Sequence, residues 1–270
     1  HVIDDFTNAA GQYVDPIKTS YRGHEVYECP PNGQGIAALM MLNILAEMGL
    51  DKLDPLSPER LHLFIEAGRL AYAERNALVS DPDQVDVPVD MLLSADHAAQ
   101  LRDQIDPGKA TVNPASTGLP GGDTVYLCVV DKDRNAVSFI NSLFQPFGSG
   151  LVAPKTGVVL QNRGYSFNLD SAHPNCIQPG KRPMHTIIPG MLVKDGRAVM
   201  PFGVMGGQYQ AVGHAYFLTN LFEHGLDLQE AMDLPRLFPN VGGPVDLESG
   251  LPADTVKALQ AMGHETTSPS

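Results

Sequence analysis

The feature that most constrains this chain is a change of period. Between about residues 36 and 105 the apolar residues recur at helical spacing, whereas residues 106–123 are rich in Gly, Pro, Ser and Thr with almost no apolar anchor. That stretch reads as a mobile linker. At Thr124 alternation begins: Thr124–Val130 is a strand, Asp131–Asn135 a turn and Ala136–Ser142 the return strand. The hairpin puts Thr124 and Ser142 at the same end. The linker thus divides the chain into pieces 1–123 and 124–270.

The other elements follow from local signals. The run His24-Glu25-Val26-Tyr27 is β-rich, and the Pro and Gly cluster 30–35 leads into a buried helix ending at Gly49. Ser57-Pro58-Glu59 starts a second helix, with Ser57 as cap and Leu61, Phe64, Ile65, Gly68 and Tyr72 on one face. A further helix is expected over 94–105. Strands are expected at 157–160, 187–194 and 198–203, and helices at 208–223, 227–232 and 253–262.

Composition excludes some classes of function. With 31 acidic and 18 Lys or Arg residues the formal charge is −13, and Lys181-Arg182 is the longest basic block, so no nucleic-acid partner is expected. The richest apolar stretch, 35–45, falls short of the roughly 18 residues needed to cross a bilayer, so no membrane partner is expected either. Three cysteines, Cys29, Cys128 and Cys176, cannot close a disulfide framework. A cytoplasmic setting is the expectation, with a periplasmic or secreted one left open. The opening His1-Val2-Ile3-Asp4-Asp5, without Met, reads as a fragment or a processed product.

Two places suggest chemistry. Thr124 opens a strand after a glycine-rich segment, and cutting the peptide bond before it would give its hydroxyl an α-amine as base. That amine has a reference pKa of about 7.7–8.0, far closer to neutrality than a lysine near 10.4. The plain alternative is a β-branched residue starting a strand. The second place is Gly203-Val204-Met205-Gly206-Gly207-Gln208, a strand passing through two glycines into a helix, whose N–H groups suit an oxyanion. A tight turn or a phosphate loop is the alternative, although no Gly-Lys-Ser/Thr follows. His173-Pro174-Asn175-Cys176 lacks the second pair of a metal site, and the nine histidines show no ligand spacing. Asp131 and Asp133 are expected to be solvated turn residues.

The run Thr124–Val137 resembles the start of the small subunit of γ-glutamyltranspeptidases. The resemblance continues through Phe147-Gly148-Ser149-Gly150, Gly180-Lys181-Arg182-Pro183, Val193-Lys194-Asp195-Gly196, Met205-Gly206-Gly207 and Leu234-Pro235-Arg236. Upstream, Tyr21-Arg22-Gly23, Cys29-Pro30-Pro31, Ala71-Tyr72-Ala73-Glu74-Arg75 and Asp81-Pro82-Asp83 look like the end of the large subunit. The family's precursor is about twice as long, and its first half would be a missing partner. The resemblance implies an α+β fold, the four-layer α/β/β/α sandwich of N-terminal-nucleophile hydrolases, shared by both pieces. It also implies self-cleavage between Asp123 and Thr124. Thr124 then becomes the nucleophile, its α-amine the base, Ser142 the supporting hydroxyl, and the Gly206 and Gly207 amides the oxyanion donors. A small-molecule amide is the substrate, water or an amine accepts the acyl group, and neither metal nor organic cofactor is required. A homo-oligomer is compatible with the family.

Departures from the family pattern bear on the substrate. The residues that hold the α-amino end of a γ-glutamyl group fall at Phe144, Arg163 and Ser166, so acceptors for an ammonium are gone, and the Ser-Ser pair near the α-carboxylate falls at His185-Thr186. Arg163 would repel an ammonium and attract a carboxylate. Asn141–Gln145 and Leu160–Gly164 look like a divergent branch that includes oxamate amidohydrolase-like proteins. The expectation is therefore an amidohydrolase for a small carboxylate-bearing amide with Arg163 as its ligand. Pairing of Arg163 with an acidic residue of the sheet, and a catalytically silent scaffold, are the alternatives.

Overall fold

The computed structural model describes residue 7 and residues 10–111, 123–240 and 242–267. Its elements run β1 (Ile17–Tyr21), β2 (His24–Glu28), α1 (Gly35–Leu45), α2 (Pro58–Leu78), α3 (Val89–Leu92), α4 (Ala95–Arg102), β3 (Asp123–Val130), β4 (Ala136–Phe144), β5 (Gly190–Lys194), β6 (Arg197–Phe202), α5 (Tyr209–His224), α6 (Leu228–Asp233), β7 (Leu237–Pro239), β8 (Val245–Leu247) and α7 (Ala253–Ala261). Strands β1-β2-β5-β6 make one antiparallel sheet; β3-β4 and β7-β8 are two-stranded. Mixed helix and sheet content is as expected.

Helix α1 sits at the centre because it has no polar face. Ten of its eleven residues are buried, and a helix apolar all round must be covered on every side. It packs against α2 and α5, with Leu39, Met40, Phe64, Ile65, Ala215 and Leu218 in one core. Ser57 caps α2 by accepting from the Arg60 N–H at 3.3 Å, with Pro58 in the first turn. Asp227 and Glu230 form a reciprocal capping box on α6.

One expectation fails, and another is covered only in part. Residues 157–160 form no strand; the segment folds back on itself, with a bridge between Val152 and Val159 and with Leu160 O accepting from Ser149 N and Oγ at 2.8 Å each. Of the expected linker, residues 112–122 lie outside the described residues. Residues 106–111 are pinned, since Ala110 N donates to Met262 O at 2.8 Å and Thr111 N to Glu66 Oε2 at 3.0 Å.

The pin is a ladder of buried side chains. Arg69 Nη1 donates to His264 Nδ1 (3.2 Å), His264 Nε2 to His62 Nδ1 (2.7 Å) and His62 Nε2 to Asp106 O (2.8 Å). One tautomer of each histidine satisfies every link. His62, Glu66 and His264 bring their ligand atoms within 4.8 Å of one another, but the donor set does not fit a cation. A metal on His264 Nε2 would move the ring proton to Nδ1 and set it against the guanidinium.

Burial, then the charge of Arg69, then His62 push His264 down to about 3. A base whose folded pKa lies below its unfolded value of about 6.5 contributes stability above that pH and loses it as pH falls toward 3. Lowering pH from 7.5 to 5 is expected to destabilise the fold by on the order of 1 kcal/mol through this histidine. His264→Gln should flatten the dependence of the melting temperature on pH between 6.5 and 4, and an unchanged slope would contradict the assignment.

Polar links cross residue 123 at several buried points. Glu223 accepts from Tyr21 Oη and, at 3.0 Å to each oxygen, from Arg22 Nε. Arg60 Nη2 donates to Thr219 Oγ1 (3.0 Å) and Asn220 Oδ1 (2.7 Å). His214 Nδ1 meets Glu28 Oε1 at 2.6 Å with both side chains fully buried. Burial raises the Glu28 pKa and His214 counters it. Removing one partner of such a pair is expected to cost about 3–5 kcal/mol, measurable by urea unfolding of Glu28→Ala.

Candidate active site

Thr124 stands where β3 leaves the core. It is 4% exposed and lies opposite Ser142, while Asp123 lies opposite Phe144, so Leu143 is the extra residue of a bulge. The bulge drives Phe144 to φ 82°, a conformation unfavourable for an aromatic residue. Its consequence is local: the Phe144 N–H turns onto Ser142 Oγ at 2.9 Å. Ser142 Oγ also accepts from Thr124 Oγ1 at 3.2 Å. Gln210 Nε2, on α5, approaches the Thr124 hydroxyl at 3.5 Å. Thr124 Oγ1 is thereby oriented with a lone pair still available for attack.

Gly206 and Gly207 form the turn into α5 with φ of 114° and 57°. A Cβ at Gly206 would meet Tyr209 Cβ at 3.2 Å, so space and torsion both require glycine. Their carbonyls are tied inward: Gln34 Nε2 donates to Gly207 O (2.8 Å) and Thr186 O (2.7 Å), while Tyr209 N donates to Gly206 O (3.0 Å). Arg75 Nη1 braces the turn by donating to Gln34 Oε1 (2.5 Å) and Gln208 Oε1 (2.6 Å). Among the described residues the Gly206 and Gly207 N–H groups find no acceptor. At Gly203 any Cβ would collide with the Tyr126 ring, which couples the strand of Thr124 to the strand leading into this turn.

The other expected residues gather behind the bulge. Arg163 opens a 3₁₀ turn, Arg163–Ser166. It is 4% exposed, its guanidinium lies 4.8 Å from the Phe144 ring centroid, and Nη1 donates to Thr186 Oγ1 at 2.5 Å. Burial lowers its pKa to about 10, so it stays charged at neutral pH. The alternative of an acidic partner is not met among the described residues, and Arg163 Nη2 and Ser166 Oγ are buried there without one. His185 is depressed to about 3 by burial and then by the charge of Arg163, which keeps its ring neutral. These residues touch the Thr124 group through Phe144 and through Thr186–Gln34–Gly207. They do not line the open cleft at Thr124.

That cleft holds about 450 Å³ and is lined by Thr124 and Gly206 together with Tyr209, Arg236, Phe238, Asp246 and Glu248. Sequence reasoning missed Gln34, Arg75, Gln208 and Gln210. None carries a local signal, since a glutamine or arginine becomes a brace here only through residues 41 to 173 positions away.

Known proteins resemble this chain in sequence and in fold. The family described as Gamma-glutamyltranspeptidase matches residues 2–270. The chain is 39% identical over 234 residues to the glutathione hydrolase-like YwrD proenzyme of Bacillus subtilis (strain 168), covering 87% of this chain and 44% of that protein. It is 36% identical over 256 residues to the oxamate amidohydrolase proenzyme of Klebsiella pneumoniae, covering 93% and 48%. The crystal structure of cephalosporin acylase from Bacillus halodurans superposes with a TM-score of 0.90 at 40% identity, covering 98% of this chain and 48% of that one. The chain therefore spans about half the length of the curated relatives it matches. Over that half the agreement in sequence and fold is continuous: this chain belongs to the γ-glutamyltranspeptidase family.

Proposed function

We propose that this chain is the catalytic part of a self-processing amidohydrolase or acyltransferase with Thr124 as nucleophile. The observation that carries the reading is the Thr124 hydroxyl, held on Ser142 in a cleft that Gly206 also lines, with the Gly206 and Gly207 amides lacking an acceptor among the described residues. In the uncut chain Thr124 Oγ1 attacks the Asp123 carbonyl, the C–N bond breaks with the proton passing to nitrogen, and the resulting ester is hydrolysed by water. This frees the Asp123 carboxylate and the Thr124 amine. In the second reaction the amine takes the hydroxyl proton as Oγ1 attacks a substrate amide, and returns it to the departing amine. Water or an amine then releases the acyl group. Oxyanion donors of this kind are worth about 10²–10³ in rate each.

The preferred acyl group is a small carboxylate. Arg163 supports this as a buried cation whose Nη2 has no partner among the described residues, as is true of the hydroxyl of Ser166 in the same 3₁₀ turn. The name of the oxamate amidohydrolase relative agrees with it. The remaining half of the family's large subunit is the proposed partner, completing a four-layer sandwich. Exposed Val125, Leu127, Val129, Val137 and Phe139 give it an apolar face, with Leu127 opposite Phe139 and Val129 opposite Val137.

Mass spectrometry of the purified protein after incubation tests the reading. Two species meeting between Asp123 and Thr124, still co-eluting because buried polar links join them, are expected. A single intact chain after long incubation would count strongly against self-processing and for a silent scaffold.

A further inference from the structure

We infer that the open cleft beyond Thr124 receives the amine half of the amide, and that this half is a substituted amine carrying its own cationic group rather than ammonia. The inference rests on the reading of Thr124 as nucleophile. Arg163 is buried against Phe144, the residue paired with Asp123, and does not line the cleft, so a carboxylate held there leaves the cleft to the amine half. The space in the cleft is far more than ammonia needs. A water-sized molecule occupies about 30 Å³ of liquid volume, against a cleft of about 450 Å³.

The walls are aromatic. Tyr209 and Phe238 meet edge to face, with centroids 6.2 Å apart and planes at 73°. The charges of the lining do not cancel. Arg236 is committed to Glu248: its Nε and backbone N–H each lie 2.9 Å from Oε2, and Nη2 donates to Oε1. That pair contributes no net charge. Asp246 remains, an exposed carboxylate on β8 that accepts from Asn240 Nδ2 at 2.9 Å and has no ion-pair partner among the described residues. One uncompensated carboxylate in the wall of this cleft selects an ammonium or a related cation. Arg236 acts as a positioning residue, holding Glu248 so that Asp246 sets the sign.

The test uses two acyl series on the self-cleaved protein, oxalyl and γ-glutamyl. Each is offered as the primary amide, the N-propyl amide and the N-(2-aminoethyl) amide. Within the series that is turned over, kcat/KM is expected to rise in that order, with the aminoethyl amide about fivefold above the propyl amide. In Asp246→Asn that ratio should collapse toward one, with Asp246→Glu restoring part of it. Activity confined to the γ-glutamyl series would refute the carboxylate role of Arg163 while leaving the amine ratio to be read. A primary amide turned over as fast as the substituted ones, or a ratio unchanged in Asp246→Asn, would overturn the inference.

Discussion

Thr124→Ala is expected to leave the chain uncut between Asp123 and Thr124 and to lower amide turnover by about 10⁴-fold or more, the scale of losing a covalent nucleophile. Both effects have one cause, because the same hydroxyl attacks the Asp123 carbonyl first and the substrate afterwards. The fold should survive. Thr124 makes one hydrogen bond to Ser142 at 3.2 Å and a marginal one from Gln210 at 3.5 Å, and a typical net bond is worth about 1 kcal/mol. Thr124→Ser keeps the hydroxyl and should restore cutting at a reduced rate. Intact mass and a melting curve on the same sample separate lost chemistry from lost structure. Self-cleavage persisting in Thr124→Ala would refute the role assigned to it.

Arg163→Ala should be the next most damaging change, lowering kcat/KM for a carboxylate-bearing amide by about 10²–10³. A buried guanidinium without a counter-ion is held at a cost, and a substrate carboxylate would offset that cost on binding. Arg163→Lys should recover little, since the Thr186 bond and the stack on Phe144 both use the planar fork. The depressed His185 adds a signature: with Arg163 removed, its pKa should rise from about 3, because the charge that helps lower it is gone. An NMR titration of that ring reads this without any substrate. Turnover of a γ-glutamyl anilide at rates typical of the family, unaffected by Arg163→Ala, would sink the carboxylate assignment.

What could be read in advance follows from how local each signal is. The helix start at Ser57-Pro58 and the hairpin 124–142 were legible because caps and alternation act over a few residues. The bulge at Leu143 was not, since Phe144 at φ 82° looks in sequence like the next residue of a strand. Val158-Val159-Leu160 reads as a strand by composition yet makes a single bridge, Val159 to Val152, rather than a ladder. At the site, Thr124 and the Gly206-Gly207 turn carry local signals, a strand start after a glycine-rich segment and a strand passing through two glycines into a helix, and the family resemblance adds Ser142. The bracing roles of Gln34 and Arg75 have no such signal. His62 and His264 stand 202 positions apart, and no spacing rule brings them together.

The strand order β1-β2-β5-β6 has a consequence for how such a protein must be made. Strands β1 and β2 precede the proposed cut and β5 and β6 follow it, so the ladder between β2 and β5 is the seam between the two products. Synthesised separately, each product would carry a naked strand edge, open to pairing with copies of itself. Translation as one chain delivers both edges at a high effective concentration and in a fixed ratio, and the proposed scission would follow once they have closed on each other. Under that proposal the peptide bond before Thr124 is an assembly tether, needed until the sheet is complete and expendable afterwards.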